Sequence, residues 1–78
     1  MKKDHIKMPK IKPLGTSFFY IKYDESKGLR VLATASLAVL SHNKNTDVYS
    51  YFDGAGTRFE DADIYKTFDE ALDALRTQ

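Results

Sequence analysis

Residues 17–23 read Ser-Phe-Phe-Tyr-Ile-Lys-Tyr, an aromatic and β-branched run with the two-residue alternation of a strand. Phe19, Ile21 and Tyr23 point one way, and Phe18, Tyr20 and Lys22 the other. One face belongs to the core, and the second is too aromatic for plain solvent exposure. Residues 24–28, Asp-Glu-Ser-Lys-Gly, form a hairpin turn in which Gly28 supplies a positive φ. Residues 48–52, Val-Tyr-Ser-Tyr-Phe, are a second clear strand with Tyr49 and Tyr51 on one face. Asp53-Gly54-Ala55-Gly56-Thr57 is the next turn, its glycines suited to positive φ. Residues 58–65 hold a short edge strand whose Glu60, Asp61 and Asp63 discourage pairing with another chain.

Residues 29–40 fit two periods. As a helix, Leu29, Leu32, Ala33, Ser36, Leu37 and Leu40 make a stripe; as a strand, Leu29, Val31, Ala33, Ala35, Leu37 and Val39 make an apolar face. Ala and Leu favour the helix. The preceding hairpin turn, the polar run 41–47 and a single charge, Arg30, favour a long, bent strand, which is the reading taken. Thr67 and Glu70 have capping-box spacing, and Phe68, Ala71, Leu72 and Leu75 fall on one helical stripe behind them. This predicts an amphipathic C-terminal helix. The expected fold is therefore α+β: a small antiparallel sheet of three to four strands in a meander, with one C-terminal α-helix packed on one face.

The chain has 78 residues, enough for one domain with a thin core. Residues 1–16 are expected to form a basic flexible arm, with Ile11 or Leu14 touching the body, and residues 17–78 the single domain. Pro9, Pro13 and Gly15 disfavour a helix interior or central strand there, and Lys2, Lys3, Lys7, Lys10 and Lys12 make the arm basic. Net charge is +1, but residues 1–46 hold nine Lys/Arg against three Asp/Glu, and residues 47–78 three against eight. Opposite halves attract; alternatively, one of them meets a charged partner.

Candidate chemistry narrows quickly. With no cysteine there are no disulfides, thiolate nucleophiles or Cys-ligated metals, and a reducing, cytoplasmic location fits. No apolar stretch follows Lys2 and Lys3 as a secretory signal requires, and none spans a membrane. No serine sits in a nucleophile elbow; His5 lies in the arm and His42 in a turn. Asn43, Asn45 and Asp47 begin like a calcium loop, but Val48 and Gly54 stand where that loop needs Gly and Glu. Gly54-Ala55-Gly56-Thr57 lacks the lysine and the helix of a phosphate loop. Neither a metal nor a cofactor is expected.

Two binding surfaces are left. Glu60, Asp61, Asp63, Asp69, Glu70 and Asp73 form an acidic patch for a protein partner with a basic groove. Asp69 and Glu70 also suit a helix N-terminus, whereas Asp73 repels Asp69 one turn away. The second surface joins the lysines of the arm (Lys2, Lys3, Lys7, Lys10 and Lys12) to Tyr49 and Tyr51, with Phe18 and Tyr20, as a stacking platform for nucleic acid. The outline of a short sheet, a capped C-terminal helix, no catalytic motif and fewer than 80 residues is similar to small accessory proteins of phages and mobile elements that inhibit or redirect a host protein. The expected function is a non-enzymatic protein-binding module, an inhibitor or regulator, with nucleic-acid binding as the alternative and a homodimer through a sheet edge as a further expectation.

Overall fold

The computed structural model describes residues 8–77. Eight secondary-structure elements follow one another among the described residues: β1 (Ser17–Asp24), β2 (Leu29–Ser36), β3 (Val39–Asn43), β4 (Val48–Phe52), β5 (Arg58–Phe59), a 3-10 turn (Asp61–Asp63), β6 (Ile64–Tyr65) and α1 (Phe68–Arg76). The strands form two antiparallel three-stranded sheets, ordered β2-β1-β6 and β3-β4-β5. The fold is thus a small α+β one with a C-terminal helix, its strands divided between two sheets rather than laid out in one meander.

The division comes from the 29–43 ribbon. It is extended, as expected, and it turns at the Leu37–Ala38 peptide. The Leu37 N–H still donates to the Thr16 carbonyl at 2.9 Å, at the edge of the first sheet, whereas the Ala38 N–H donates to the Phe52 carbonyl at 2.7 Å in the second. The corner costs one step of the alternation. Leu37 is buried, Ala38 and Val39 are both exposed, and Leu40 resumes contact with the core. A strict two-residue period would have turned Val39 inward; instead it is 53% exposed.

The aromatic character of both faces of β1 follows from the layers. Phe18 and Tyr20 face the second sheet, where Phe18 meets Phe59 edge-on at 5.2 Å between centroids. Phe19 faces the helix and meets Phe68 at 6.0 Å. Between the sheets lie Ile11, Phe18, Leu37, Tyr51, Phe59 and Ile64, all buried. The helix packs on β1, β2 and β6 and buries Ala71.

Local chemistry sets the ends of these elements. The Thr67 hydroxyl accepts from the Glu70 N–H at 3.2 Å, while the Glu70 carboxylate takes the Lys66 N–H, one position before the cap. Gly28 and Gly56 adopt the positive φ their turns require, at 66° and 88°. The Asn43 carboxamide accepts from the N–H groups of Asn45 and Thr46, the local turn bonding that competes with any calcium-loop geometry. Among the described residues, no helix is long and apolar enough to cross a membrane.

The corner makes a stability prediction. Leu37→Ala should destabilise the fold by about 2–5 kcal/mol, because a fully buried side chain is lost. Val39→Ala, one turn of the alternation away, should cost less than about 1 kcal/mol. Urea denaturation of the two variants checks the ordering.

Candidate functional site

The sequence-derived candidates do not gather into one site. Lys2, Lys3 and Lys7 lie outside the described residues. The rest of the arm is tied to the body: Ile11 is 6% exposed in the core, and the Gly15 N–H donates to the Leu37 carbonyl at 2.7 Å. Leu14, the other residue expected to touch the body, is exposed. Lys10 turns inward. Its ammonium donates to the carbonyls of Asp61 and Ile64, at either end of the 3-10 turn, and lies 5.7 Å from the centre of the Tyr65 ring. Lys12 is exposed.

Tyr51 is fully buried, which removes it from any base-stacking platform. Its hydroxyl accepts from the Lys10 backbone N–H at 2.8 Å and donates to the Asp61 carboxylate. Burial, then the hydrogen bond to Asp61, raises the Tyr51 phenol well above its ordinary range. Phe18 is fully buried as well. Tyr49 is half-buried and stacks on His42, with centroids 4.2 Å apart and planes 16° from parallel. The His42 ring in turn reaches the Asp47 carboxylate at 2.7 Å. The four rings read as a platform are therefore buried or packed on another ring, with Tyr20 and Tyr49 half-buried.

The acidic residues are partly committed too. Glu60 is ion-paired with Arg58 at 2.7 Å, and Asp61 takes the Tyr51 proton donor. Asp63 reaches back to the Glu60 N–H at 3.0 Å and braces the 3-10 turn, while Glu70 serves the helix N-terminus. Asp69 and Asp73 remain exposed on the helix. Two carboxylates one turn apart are a thin basis for recognition compared with the six the sequence offers.

The prominent concavity lies elsewhere. Where β1 runs on toward its turn, the sheets part and leave an open depression of about 500 Å³. Tyr20, Lys22, Tyr23 and Arg30 come from the β1–β2 hairpin, and Arg58, Phe59, Asp63 and Tyr65 from the strands and 3-10 turn that face it. Its floor is aromatic, because Tyr20 packs on Phe59 at 4.8 Å between centroids. Lys22, Arg30 and Arg58 outnumber the one carboxylate, Asp63. The hairpin turn is braced locally: the Ser26 hydroxyl and N–H both donate to the Asp24 carboxylate, which holds the pKa of that carboxyl below its usual range, the hydroxyl bond acting most.

Part of this site was readable. The hairpin was, but its register was not: a turn over residues 24–28 would set Tyr23 opposite Leu29, whereas Asp24 still pairs with Leu29, the turn is 25–28, and Tyr23 faces Arg30 and Lys22 faces Val31. The contribution of Tyr65, paired with Phe19 from a two-residue strand, carries no sequence signal. Among the described residues, no group of three or more His, Asp or Glu side chains is placed to hold a metal ion. Comparison with family models, with curated proteins and with solved structures gives no match.

Two measurements test the Tyr51 clasp. Tyr51→Phe leaves the Lys10 N–H and the Asp61 carboxylate short of a partner, so it should cost about 1–3 kcal/mol. The second is alkaline unfolding. The native phenol holds its proton at a pH where the unfolded tyrosine, with an ordinary value near 10, has lost it. The native state then binds more protons, so stability contributed by this group is complete below about pH 10 and falls as the pH rises further. Wild type should lose stability above about pH 10 more steeply than Tyr51→Phe; parallel curves would remove the clasp from the account.

Proposed function

We propose that the chain is a non-enzymatic protein-binding module, an inhibitor or regulator acting in the cytoplasm, and that its depression receives an extended peptide segment of the partner. The observation that carries this reading is the lining: three tyrosines around an open floor, with cations at the rim. Tyrosine gives large, stiff contact area with a polar tip, which is why such rings dominate protein-binding surfaces. Lys22 and Arg30 favour a segment carrying carboxylates, with Arg58 beside them in its ion pair with Glu60. The partner thus meets the basic side of the molecule, and the acidic residues mostly serve the fold.

Nucleic acid fits these groups less well. A phosphate backbone needs a track of cations. Lys10 is instead spent on the 3-10 turn, and Glu60 and Asp63 stand beside Arg58. The volume suits a few side chains, near the lower end of ordinary ligand clefts.

Peptides enriched on the protein from a random display library provide the test, with affinity read by fluorescence anisotropy. Enriched sequences should carry Asp or Glu, and Tyr23→Ala should weaken them roughly 30-fold, as loss of an aromatic anchor does. Tyr23 is 61% exposed, so the variant should fold. Enrichment insensitive to Tyr23→Ala and Lys22→Glu would remove the depression from binding. Oligothymidylate or oligouridylate bound tightly at about 50 mM salt and released at about 200 mM, with loss on Lys22→Glu, would replace the peptide by single-stranded nucleic acid.

A further inference from the structure

The sheet edges are unequal. β5 and β6 are two residues long, and β3 ends in Ser41, His42 and Asn43. β2 is different: eight residues, Leu-Arg-Val-Leu-Ala-Thr-Ala-Ser, at the edge of its sheet with β1 as its strand partner. Proteins blunt such edges with proline, inward charges, bulges or a covering loop. β2 has no proline or glycine and one charge, Arg30. Its pairing with β1 is continuous from Leu29 to Ser36, without a bulge. Beside it the helix is incompletely covered, with Leu72, Ala74 and Leu75 only half-buried.

We propose that β2 is the interface of a homodimer, in which two copies pair antiparallel across a two-fold axis at Leu32. Symmetry restricts the register. A two-fold axis normal to an antiparallel pair must pass through a residue facing its own copy, because neighbouring pairs alternate between hydrogen-bonded and non-bonded types. The bonding phase is set by Leu37, whose N–H points toward the β1 side. Alternation then turns the backbone groups of Arg30, Leu32, Thr34 and Ser36 outward.

Centred on Leu32, the pairing sets leucine against leucine, Val31 against Ala33, Leu29 against Ala35 and Arg30 against Thr34 of the second copy. Every opposed pair is apolar or joins the cation to a hydroxyl, and the two arginines stay apart. Leu32 shares its face with Ile21, its neighbour on β1, and with Phe19, which meets the helix. The two leucines therefore meet on the helix side, next to the partly covered α1. Growth stops at two copies, since the far edge of each sheet is the two-residue β6. The product is a closed sheet ordered β6-β1-β2-β2-β1-β6, with a depression on each half. That geometry would let one partner with two segments be held at both sites.

Sedimentation equilibrium of the full chain over a concentration series, with circular dichroism to confirm folding, tests the proposal. The wild type should weigh twice its 8.9 kDa and dissociate on dilution. Thr34 is exposed, so its variants keep the monomer fold. Thr34→Lys places a cation against Arg30 of the second copy and should raise the dissociation constant at least about tenfold. Thr34→Glu, opposite the same arginine, should keep or tighten the dimer. A monomer at every concentration, an assembly larger than two, or a dimer equally tolerant of Lys and Glu at position 34 overturns the proposal. None of these outcomes depends on peptide binding, so the two readings stand or fall separately.

Discussion

A tyrosine ring buried to completion must find partners for its hydroxyl inside the protein, and Tyr51 finds them in two distant stretches of chain. An unsatisfied hydroxyl there would cost several times what the made bond contributes. Meeting this requirement holds the backbone of Lys10 on one side and the Asp61 carboxylate on the other. Lys10 then closes the same circuit from outside, with its ammonium on the carbonyls of Asp61 and Ile64. The arm, the second sheet, the 3-10 turn and the start of β6 are thereby fixed together at one point. This adds to the burial of Ile64, which holds the two-residue β6 beside β1, and to the burial of Ile11 from the arm.

The same constraint decides which charges are available for function. Two residues that the sequence assigns to opposite binding surfaces meet here: the Lys10 backbone N–H and the Asp61 carboxylate share the Tyr51 hydroxyl, and the Lys10 ammonium binds carbonyls of the same turn. The cations that line the depression are a different set: Lys22 and Arg30 on the first hairpin, with Arg58 across from them in an ion pair with Glu60. These residues stand around tyrosines that the second sheet is too short to cover.

The fold was legible where local chemistry acts alone. The hairpin turn ending at Gly28, the capped helix and the strand at 48–52 follow from glycine, capping groups and alternation; each is present, with the turn one residue shorter than expected, at 25–28. The extended reading of 29–40 was legible as well. Its corner was not, because Leu37 and Val39 look alike to a two-residue period; only the competing pull of Thr16 and Phe52 for successive N–H groups distinguishes them. Tyr49 and Tyr51 pose the same difficulty. They share a face, and the sequence gives no sign that one lies at the centre of the core and the other at its margin. The depression was legible only as far as a hairpin brings Lys22 and Tyr23 near Arg30; its register was not, because Asp24 stays in the strand, and its Tyr65 wall was hidden in a strand too short to have a pattern.

The aromatic excess on β1 marks a strand covered twice, by a second sheet on the Phe18 face and by a helix on the Phe19 face. Coverage is unequal along its length. Near Ser17 both layers are present; beyond Tyr20 the second sheet falls away and leaves the depression, floored by Tyr20 on Phe59. β2 shares the helix but has no layer on its outer edge. A domain of this size has too little chain to cover every apolar surface that its strands create. The uncovered places fall at the far end of β1 and along β2, and those are the surfaces where binding energy is still to be gained.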